Sequence, residues 1–164
     1  MTEVLIRQVV SADVTPCHII ESACFETSEA APRASIEKRR QIYPQGFIVA
    51  EDRRNIMGFV NSGATDKEDL ADETFKAMVG HNAHGRNIVI FSVAVHPDFQ
   101  KTGVSRELLT RFCDIAKLLK KDAILLLCKP DLIALYQKFG FLDLGESAST
   151  HGGFSWHTMR RKLT

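Results

Sequence analysis

The sequence predicts a single domain of the mixed α/β class, and three observations support that prediction. Apolar residues make up 45% and charged residues 25% of the 164 positions, the balance of a globular chain. Short runs rich in β-branched residues alternate with segments whose apolar residues recur at helical spacing. No repeat, low-complexity tract or linker divides the chain. We therefore expect residues 1–164 to form one domain.

The first half of the chain predicts two helices and three strands. The β-branched run at 4–10 is typical of a strand, and a short amphipathic helix follows because Ile19, Ile20 and Cys24 share one helical face. The charged run at 37–40 predicts the solvated face of a second helix. The loop, second helix and hairpin of this half are expected at 25–33, 35–43 and 46–62.

The second half continues the alternation of helices and strands. Acidic residues lead the segment 66–79, and acids favour a helix N-terminus, so we expect a helix there. The run 87–96 is almost wholly apolar, as expected of a central strand covered on both faces. After it the pattern predicts a helix, a buried strand, a helix and two final strands, at 103–119, 123–128, 130–138, 141–144 and 154–163.

Charge and cysteine spacing exclude several classes of function. Lys and Arg number 21 against 20 Asp and Glu, a net charge of +1 that argues against nucleic acid as a partner. No apolar run reaches membrane-spanning length and the N-terminus lacks a signal-peptide pattern, so we expect a cytoplasmic protein with no membrane partner. No zinc spacing or CxxC pair occurs, which predicts reduced thiols and no metal at Cys17, Cys24, Cys113 and Cys128.

The turn that joins the strand 87–96 to the following helix predicts an anion site. A turn that enters a helix presents unpaired N–H groups, and phosphates are their usual ligand. Gly103 allows close approach of the backbone, and Lys101 and Arg106 add positive charge. Neither common glycine-rich phosphate motif is present. The predicted site comprises Gln100, Lys101, Thr102, Gly103, Val104, Ser105 and Arg106.

The pattern V-x-V-x-P-x-x-Q-x-x-G-x-S, together with Ala134-Leu135-Tyr136-Gln137-Lys138-Phe139-Gly140-Phe141, resembles the GNAT superfamily of acetyl-CoA-dependent N-acetyltransferases. The resemblance covers nearly the whole chain. Ser105 departs mildly from the small residue usual at the end of the family's pyrophosphate loop. The resemblance is closest to the arylalkylamine (serotonin) N-acetyltransferase branch, through the stretches 59–63, 80–84 and 128–132.

The resemblance implies a largely antiparallel sheet with flanking helices and a splayed central pair of parallel strands, here 87–96 and 123–128. The pantetheine arm of acetyl-CoA would lie between them, and the diphosphate would bind the loop described above. One N–H of the same strand would polarise the thioester carbonyl. The strand residues implied to bind the cofactor are Ser92, Val93, Ala94 and Val95.

The resemblance also implies catalytic residues. Tyr136 stands where the family has its general acid, and a phenol stays protonated at neutral pH. The two strand histidines that serve as the base in the vertebrate arylalkylamine enzymes are replaced here by Val89 and Phe91. His81 and His84 then remain as candidate bases, with His96 and a water chain as alternatives.

The expected acceptor is the primary amine of a small molecule. The family comparison points to Phe25, Pro32 and Trp156 as substrate-binding residues, and aromatic walls suit a flat ring. An arylalkylamine is the preferred prediction. The alternatives are a polyamine attracted by the acidic stretch 66–73, a peptide or protein amine, and a non-catalytic module that senses acyl-CoA. We expect a monomer or a weak homodimer.

Overall fold

A computed structural model describes residues 4–53 and 55–163, which form one seven-stranded sheet flanked by four α-helices. The strands are β1 (Leu5–Gln8), β2 (Ile48–Asp52), β3 (Asn55–Thr65), β4 (Asn87–Val95), β5 (Ala123–Cys128), β6 (Leu142–Glu146) and β7 (His157–Lys162). The helices are α1 (Val14–Cys24), α2 (Arg33–Ile42), α3 (Val104–Leu118) and α4 (Ile133–Lys138).

The sheet has the order β1-β2-β3-β4-β5-β7-β6. Its neighbouring strands are antiparallel except for β4 and β5, which are parallel. Strand β7 lies between β5 and β6, so the last strand of the chain is an inner strand and β6 forms the edge. The predicted fold class, a largely antiparallel sheet with a central parallel pair, is confirmed.

The two parallel strands separate part of the way along their length. Their pairing joins Asn87–Ile90 to Ala123–Leu126 and goes no further, although both strands continue. On the other side of β4, Ser62 faces Ile90 and Asn61 faces Ser92, so Phe91 is an extra residue in β4. Such a bulge bends a strand and increases its twist. It stands at the residue where β4 leaves β5.

The helices cover the two faces of the sheet and bury two separate cores. On one face α3 contributes Leu108, Phe112 and Ala116, all fully buried, to a cluster that includes Ile88 and Ile90 of β4. On the other face α1 and α2 pack on β2 and β3 through Val14, Cys17, Ile20, Ile36, Phe47, Val49 and Phe59. Strand β4 is covered on both sides, which explains why its residues are almost all apolar.

The acidic segment differs from the prediction of a helix over 66–79, because only a 3-10 turn forms, at Glu73–Ala77. The Asp66, Asp69 and Asp72 side chains accept hydrogen bonds from backbone N–H groups of other residues. The bonds to Asp69 and Asp72 come from residues two positions along the chain, and such local bonds offer the backbone an alternative to an α-helix. Asp66 and Asp69 therefore hold a loop in place, and Asp72 caps only the short 3-10 turn.

Two further features of the described residues bear on the sequence predictions. No helix within 4–53 and 55–163 has both the length and the apolar character needed to cross a bilayer. The four cysteines are free thiols, and all except Cys24 are buried. The sequence prediction of reduced thiols agrees with this geometry.

Candidate active site

A cavity of about 410 Å³ lies beside the gap between β4 and β5. Its walls come from α1, α2, the loop between them, the 3-10 turn at Glu73–Ala77, the diverging strands and α4. The residues that the sequence singled out and the structure brings to its walls are Phe25, Pro32, Ser92, Val93, Tyr136 and Trp156. The expected acceptor and acid residues thus surround one space.

The peptide groups of β4 alternate between β3 and the gap. His96 N–H donates to the Met57 carbonyl at 2.7 Å, which places the backbone groups of Ser92 and Ala94 toward β3 as well. Those of Val93 and Val95 therefore point toward the gap. The Val95 carbonyl already accepts from Cys24 Sγ at 3.1 Å and from the Gln100 side chain at 3.0 Å.

The loop before α3 has the geometry of an anion site. Gly103 has φ +90° and Lys101 φ +64°, both left-handed, and a Cβ on Gly103 would meet nothing within 4 Å. Within the described part of the chain, no acceptor satisfies the N–H groups of residues 100–106, and no side chain caps α3. The Gly103 carbonyl is used, since it accepts from Glu107 N–H at 3.1 Å. The residues present therefore fit a diphosphate.

Tyr136 reaches the cavity from α4, a short helix entered through a turn that begins at Pro130. Its ring packs edge-on against Phe141, with centroids 5.6 Å apart, and only 9% of the residue is exposed. Burial raises the pKa of the Tyr136 hydroxyl above its ordinary value, and the nearby Cys128 thiol adds to the rise. The hydroxyl has no hydrogen-bond partner among the described residues, so its proton is available to a ligand.

The candidate histidines lie away from the cavity walls. His81 Nδ1 accepts from Ala64 N–H at 2.9 Å, and its ring packs on Tyr43 with centroids 4.6 Å apart. Burial lowers the pKa of His81, with Lys121 adding to the effect. His84 is exposed on the same loop, and His96 accepts a hydrogen bond from Asp98 N–H. A base that borders the cavity must come from another residue.

Glu21 is a cavity residue that the sequence reasoning missed. Its Oε2 accepts from Ala31 N–H at 2.9 Å, and its Oε1 is buried without a partner among the described residues. Burial raises the pKa of Glu21, and the Ala31 N–H, the Ser92 side chain and Arg39 offset only part of that rise. A buried carboxyl group with a raised pKa suits proton transfer.

Arg39 was expected on a solvated helix face, and that expectation is wrong. The residue is 3% exposed, it lines the cavity, and its guanidinium lies 4.6 Å from the centroid of the Phe91 ring. Ser35 and Ile36, one turn earlier on α2, are on the same inward side.

A segment at the C-terminal end, residues 149–156, closes one side of the cavity. His151 Nδ1 lies 2.8 Å from a Glu73 carboxylate oxygen and its Nε2 lies 3.0 Å from the Glu29 carbonyl. Trp156 Nε1–H donates to the His151 carbonyl at 2.9 Å, which fixes the indole. Lys129 completes the wall with an ion pair to Glu29 at 2.8 Å.

The family model for Acetyltransferase (GNAT) family matches residues 15–141, which is most of the chain. The chain therefore belongs to the GNAT family, as the sequence resemblance predicted.

Individual relatives and solved structures agree with this assignment, although their sequence identity to this chain is low. Serotonin N-acetyltransferase of Mesocricetus auratus is 29% identical over 111 residues, 66% of this chain and 51% of that protein, so this chain spans about half of that relative. The loading GNATL domain of CurA from Lyngbya majuscula has a TM-score of 0.88 at 15% identity, with 98% of each chain covered. The GphF GNAT-like decarboxylase in complex with isobutyryl-CoA has a TM-score of 0.85 at 14% identity, with 98% of this chain and 100% of that chain covered. These two structures are similar in fold.

We predict that Gly103→Ala weakens coenzyme A binding. A left-handed backbone costs a residue with a Cβ roughly 1–2 kcal/mol, so the loop is expected to relax and its N–H groups to turn away from the ligand. The dissociation constant for coenzyme A, measured by calorimetry, is expected to rise about tenfold.

Gly145→Ala is the matched control for this prediction. Gly145 has φ +102°, and a Cβ on this residue would likewise meet nothing within 4 Å, but Gly145 lies on the edge strand β6. Gly145→Ala is expected to lower the melting temperature about as much as Gly103→Ala does, and to leave coenzyme A affinity unchanged. Equal affinities for the two variants would contradict the role of the loop.

Proposed function

We propose that the chain transfers the acetyl group of acetyl-CoA to the primary amine of a small molecule, with an arylalkylamine as acceptor. The observation that carries the proposal is the Tyr136 hydroxyl, which no described residue engages, in a cavity that opens onto the gap between β4 and β5. The gap offers peptide groups to an acyl-CoA, and the cavity offers space for an acceptor. Direct transfer fits this arrangement because donor and acceptor can be held together.

The N–H groups of residues 100–106 would hold the diphosphate, with Lys101 and Arg106 adding charge. The gap-facing groups of β4 would pair with the pantetheine amides. The Val95 carbonyl already accepts hydrogen bonds from Cys24 and Gln100. Three groups are left for that pairing, namely the Val93 N–H, the Val93 C=O and the Val95 N–H. Acetyl-CoA, when bound, supplies a thioester whose transfer to an amine forms a C–N bond, breaks the C–S bond and leaves a thiolate.

Tyr136 is the proposed general acid. Its raised pKa keeps the phenol protonated throughout the neutral range, so it can donate to a developing thiolate. Its hydroxyl needs no rearrangement for this step, because no described residue holds it.

Glu21 is the proposed base, in place of the histidines. An alkylamine is mostly protonated near neutral pH, so a group beside it has to accept a proton before the nitrogen can attack. Four other acids line the cavity. Glu29, Asp72 and Glu73 are held by Lys129, Thr74 and His151, and Asp131 is exposed to solvent. Glu21 combines burial, a raised pKa and one unpartnered oxygen, and it lies beside Ser92 of β4.

The walls of the cavity favour an aromatic acceptor over a polyamine. Phe25, Phe75, Phe91 and Trp156 give the cavity flat apolar surfaces, and such surfaces bind rings through stacking and edge contacts. The acidic stretch that would attract a polyamine is largely committed, since Asp72 binds Thr74 and Glu73 binds His151. The partial similarity to serotonin N-acetyltransferase supports the same acceptor class.

An amine panel with acetyl-CoA tests the proposed function. Thiol release is expected with tryptamine and phenethylamine, and at a much lower rate with spermidine, because the cavity is walled by rings. Binding of acetyl-CoA without release for every amine would contradict the proposal and favour an acyl-CoA sensor. Mass spectrometry of the product identifies the acetylated nitrogen.

Tyr136→Phe is expected to lower turnover about 100-fold, in the range typical of a lost general acid, because it removes only the donating hydroxyl. The ring and its contact with Phe141 remain, so stability and coenzyme A affinity are expected to change little. Steady-state kinetics and calorimetry on the same preparation measure the two effects. An unchanged turnover number would remove the acid role.

Glu21→Gln is expected to lower turnover while it raises the melting temperature at pH 8. The amide oxygen can still accept from Ala31 N–H, but the nucleophile loses its base. Because burial raises the folded-state pKa of Glu21, ionising this group destabilises the fold once the pH exceeds its unfolded pKa, and most strongly above the folded pKa. The stabilisation by Gln should therefore fade at pH 4. Unchanged turnover at pH 7 would contradict the assignment of the base.

A further inference from the structure

Arg39 is a buried cation without an anionic partner in the described part of the chain. It is 3% exposed, and no carboxylate of residues 4–53 and 55–163 comes within ion-pair distance. Burial lowers the pKa of Arg39 to about 10, and the more distant Glu21 charge only partly opposes this. An uncompensated buried charge is strongly unfavourable, so its retention calls for a partner.

Two hydrogen bonds fix the guanidinium and leave one end free. Arg39 Nη1 donates to Asn61 Oδ1 at 3.3 Å, and Arg39 Nε donates to the Lys76 carbonyl at 3.2 Å. Both acceptors are neutral. The remaining terminal nitrogen, Nη2, has no partner among the described residues. The group is therefore oriented by the protein while part of its donor capacity remains unused.

The unpartnered end of the Arg39 guanidinium lies at the cavity. Arg39 lines its wall above the Phe91 ring, and Phe91 is the bulge residue at which β4 leaves β5. The other cavity cations have carboxylate neighbours, since Lys129 pairs with Glu29 at 2.8 Å and Lys76 with Glu73 at 3.8 Å. Arg39 differs from both, because its positive charge is available to a ligand.

We propose that Arg39 binds a carboxylate of the substrate inside this cavity. The inference rests on the proposed function and deepens it, since either of two reactants can carry the group. An aromatic amino acid would present the carboxylate beside its amine, and a dicarboxylic acyl-CoA would present it on the acyl chain. A planar guanidinium matches a carboxylate, and one cation among several acids does not suit a phosphate dianion.

Matched substrate pairs separate the two sources. The acceptor arm compares tryptophan with tryptamine, using acetyl-CoA as donor. The donor arm compares succinyl-CoA with acetyl-CoA, using tryptamine as acceptor. A hydrogen bond to a charged group is worth about 10- to 100-fold in affinity, so kcat/KM in one arm is expected to favour the carboxylate by that factor.

The variants test whether Arg39 causes the preference. Arg39→Gln is expected to abolish it, and Arg39→Lys is expected to retain part of it. Arg40→Gln is the matched control, because it removes the next arginine of α2, which pairs with Glu37 at 2.6 Å and does not line the cavity. That variant is expected to keep the full preference.

A measurement on the unchanged protein guards against loss of folding in the variants. Indole-3-propionate and its neutral amide have the same ring and chain length and differ in charge. Competitive inhibition against tryptamine is expected to be about 10- to 100-fold stronger for the acid.

The outcomes are distinct for the two proposals. A carboxylate preference in either arm that disappears in Arg39→Gln, or selective inhibition by the acid, supports the inference and identifies the source. Equal use of both members of each pair with equal inhibition overturns it, and so does a preference that survives in Arg39→Gln. In those cases turnover of tryptamine would still support the proposed function, whereas turnover of no amine in either arm would contradict that function itself.

Discussion

The interruption of hydrogen bonding between β4 and β5 is the constraint on which the rest of the site depends. The strands pair over four residues each, and the bulge at Phe91 then turns β4 away. Unpaired peptide groups inside a protein are costly unless a ligand or water satisfies them. The opening therefore leaves peptide groups in the middle of the sheet to which we assign the binding of a ligand.

The free N–H groups before α3 and the gap in the sheet are parts of one arrangement. Strand β4 leads through the turn at 97–99 directly into the loop, so the N–H groups proposed to hold a diphosphate lie at the end of the strand proposed to pair with a pantetheine. The Gln100 side chain links the two regions, because it donates to the Val95 carbonyl. One continuous stretch of chain can thereby follow the length of a coenzyme A molecule.

The cavity holds two buried charged residues in settings that the fold alone would not favour. Glu21 has a buried oxygen without a partner, and Arg39 has a buried charge without an anion, both among the described residues. Asn61, which orients Arg39, leaves its own Nδ2 unpartnered in the described part of the chain. Such groups reduce stability, and they concentrate where binding or proton transfer uses them.

The sequence predicted those parts of the molecule in which one residue pattern has one physical solution. The apolar run of β4 and the glycine before α3 were of this kind, whereas the tyrosine of α4 was indicated by the family resemblance alone. The prediction of a helix over 66–79 was wrong. Acids that favour a helix start also accept hydrogen bonds from N–H groups in a loop, as Asp66, Asp69 and Asp72 do.

Glu21 and Arg39, the two buried charged residues of the cavity, were missed because charge is usually a sign of exposure. The helical spacing of the two residues, however, indicated that both side chains face the core. Glu21 lies on the face of α1 shared by Cys17 and Ile20, and Arg39 follows Ile36 by three residues on α2. A charged residue on an apolar helix face was the available indication. The position of β7 inside the sheet had no comparable local signal, because strand order is decided by long-range pairing.

The most direct test of the account is an amide NMR titration with coenzyme A. We expect the N–H signals of Val93, Val95 and residues 100–106 to shift and to become protected from hydrogen exchange. Amides of β6, at the edge of the sheet, should stay unchanged. Binding that leaves the β4 and loop amides unaffected, or no binding at millimolar coenzyme A, would contradict the claim that the opening between β4 and β5 holds the acyl donor.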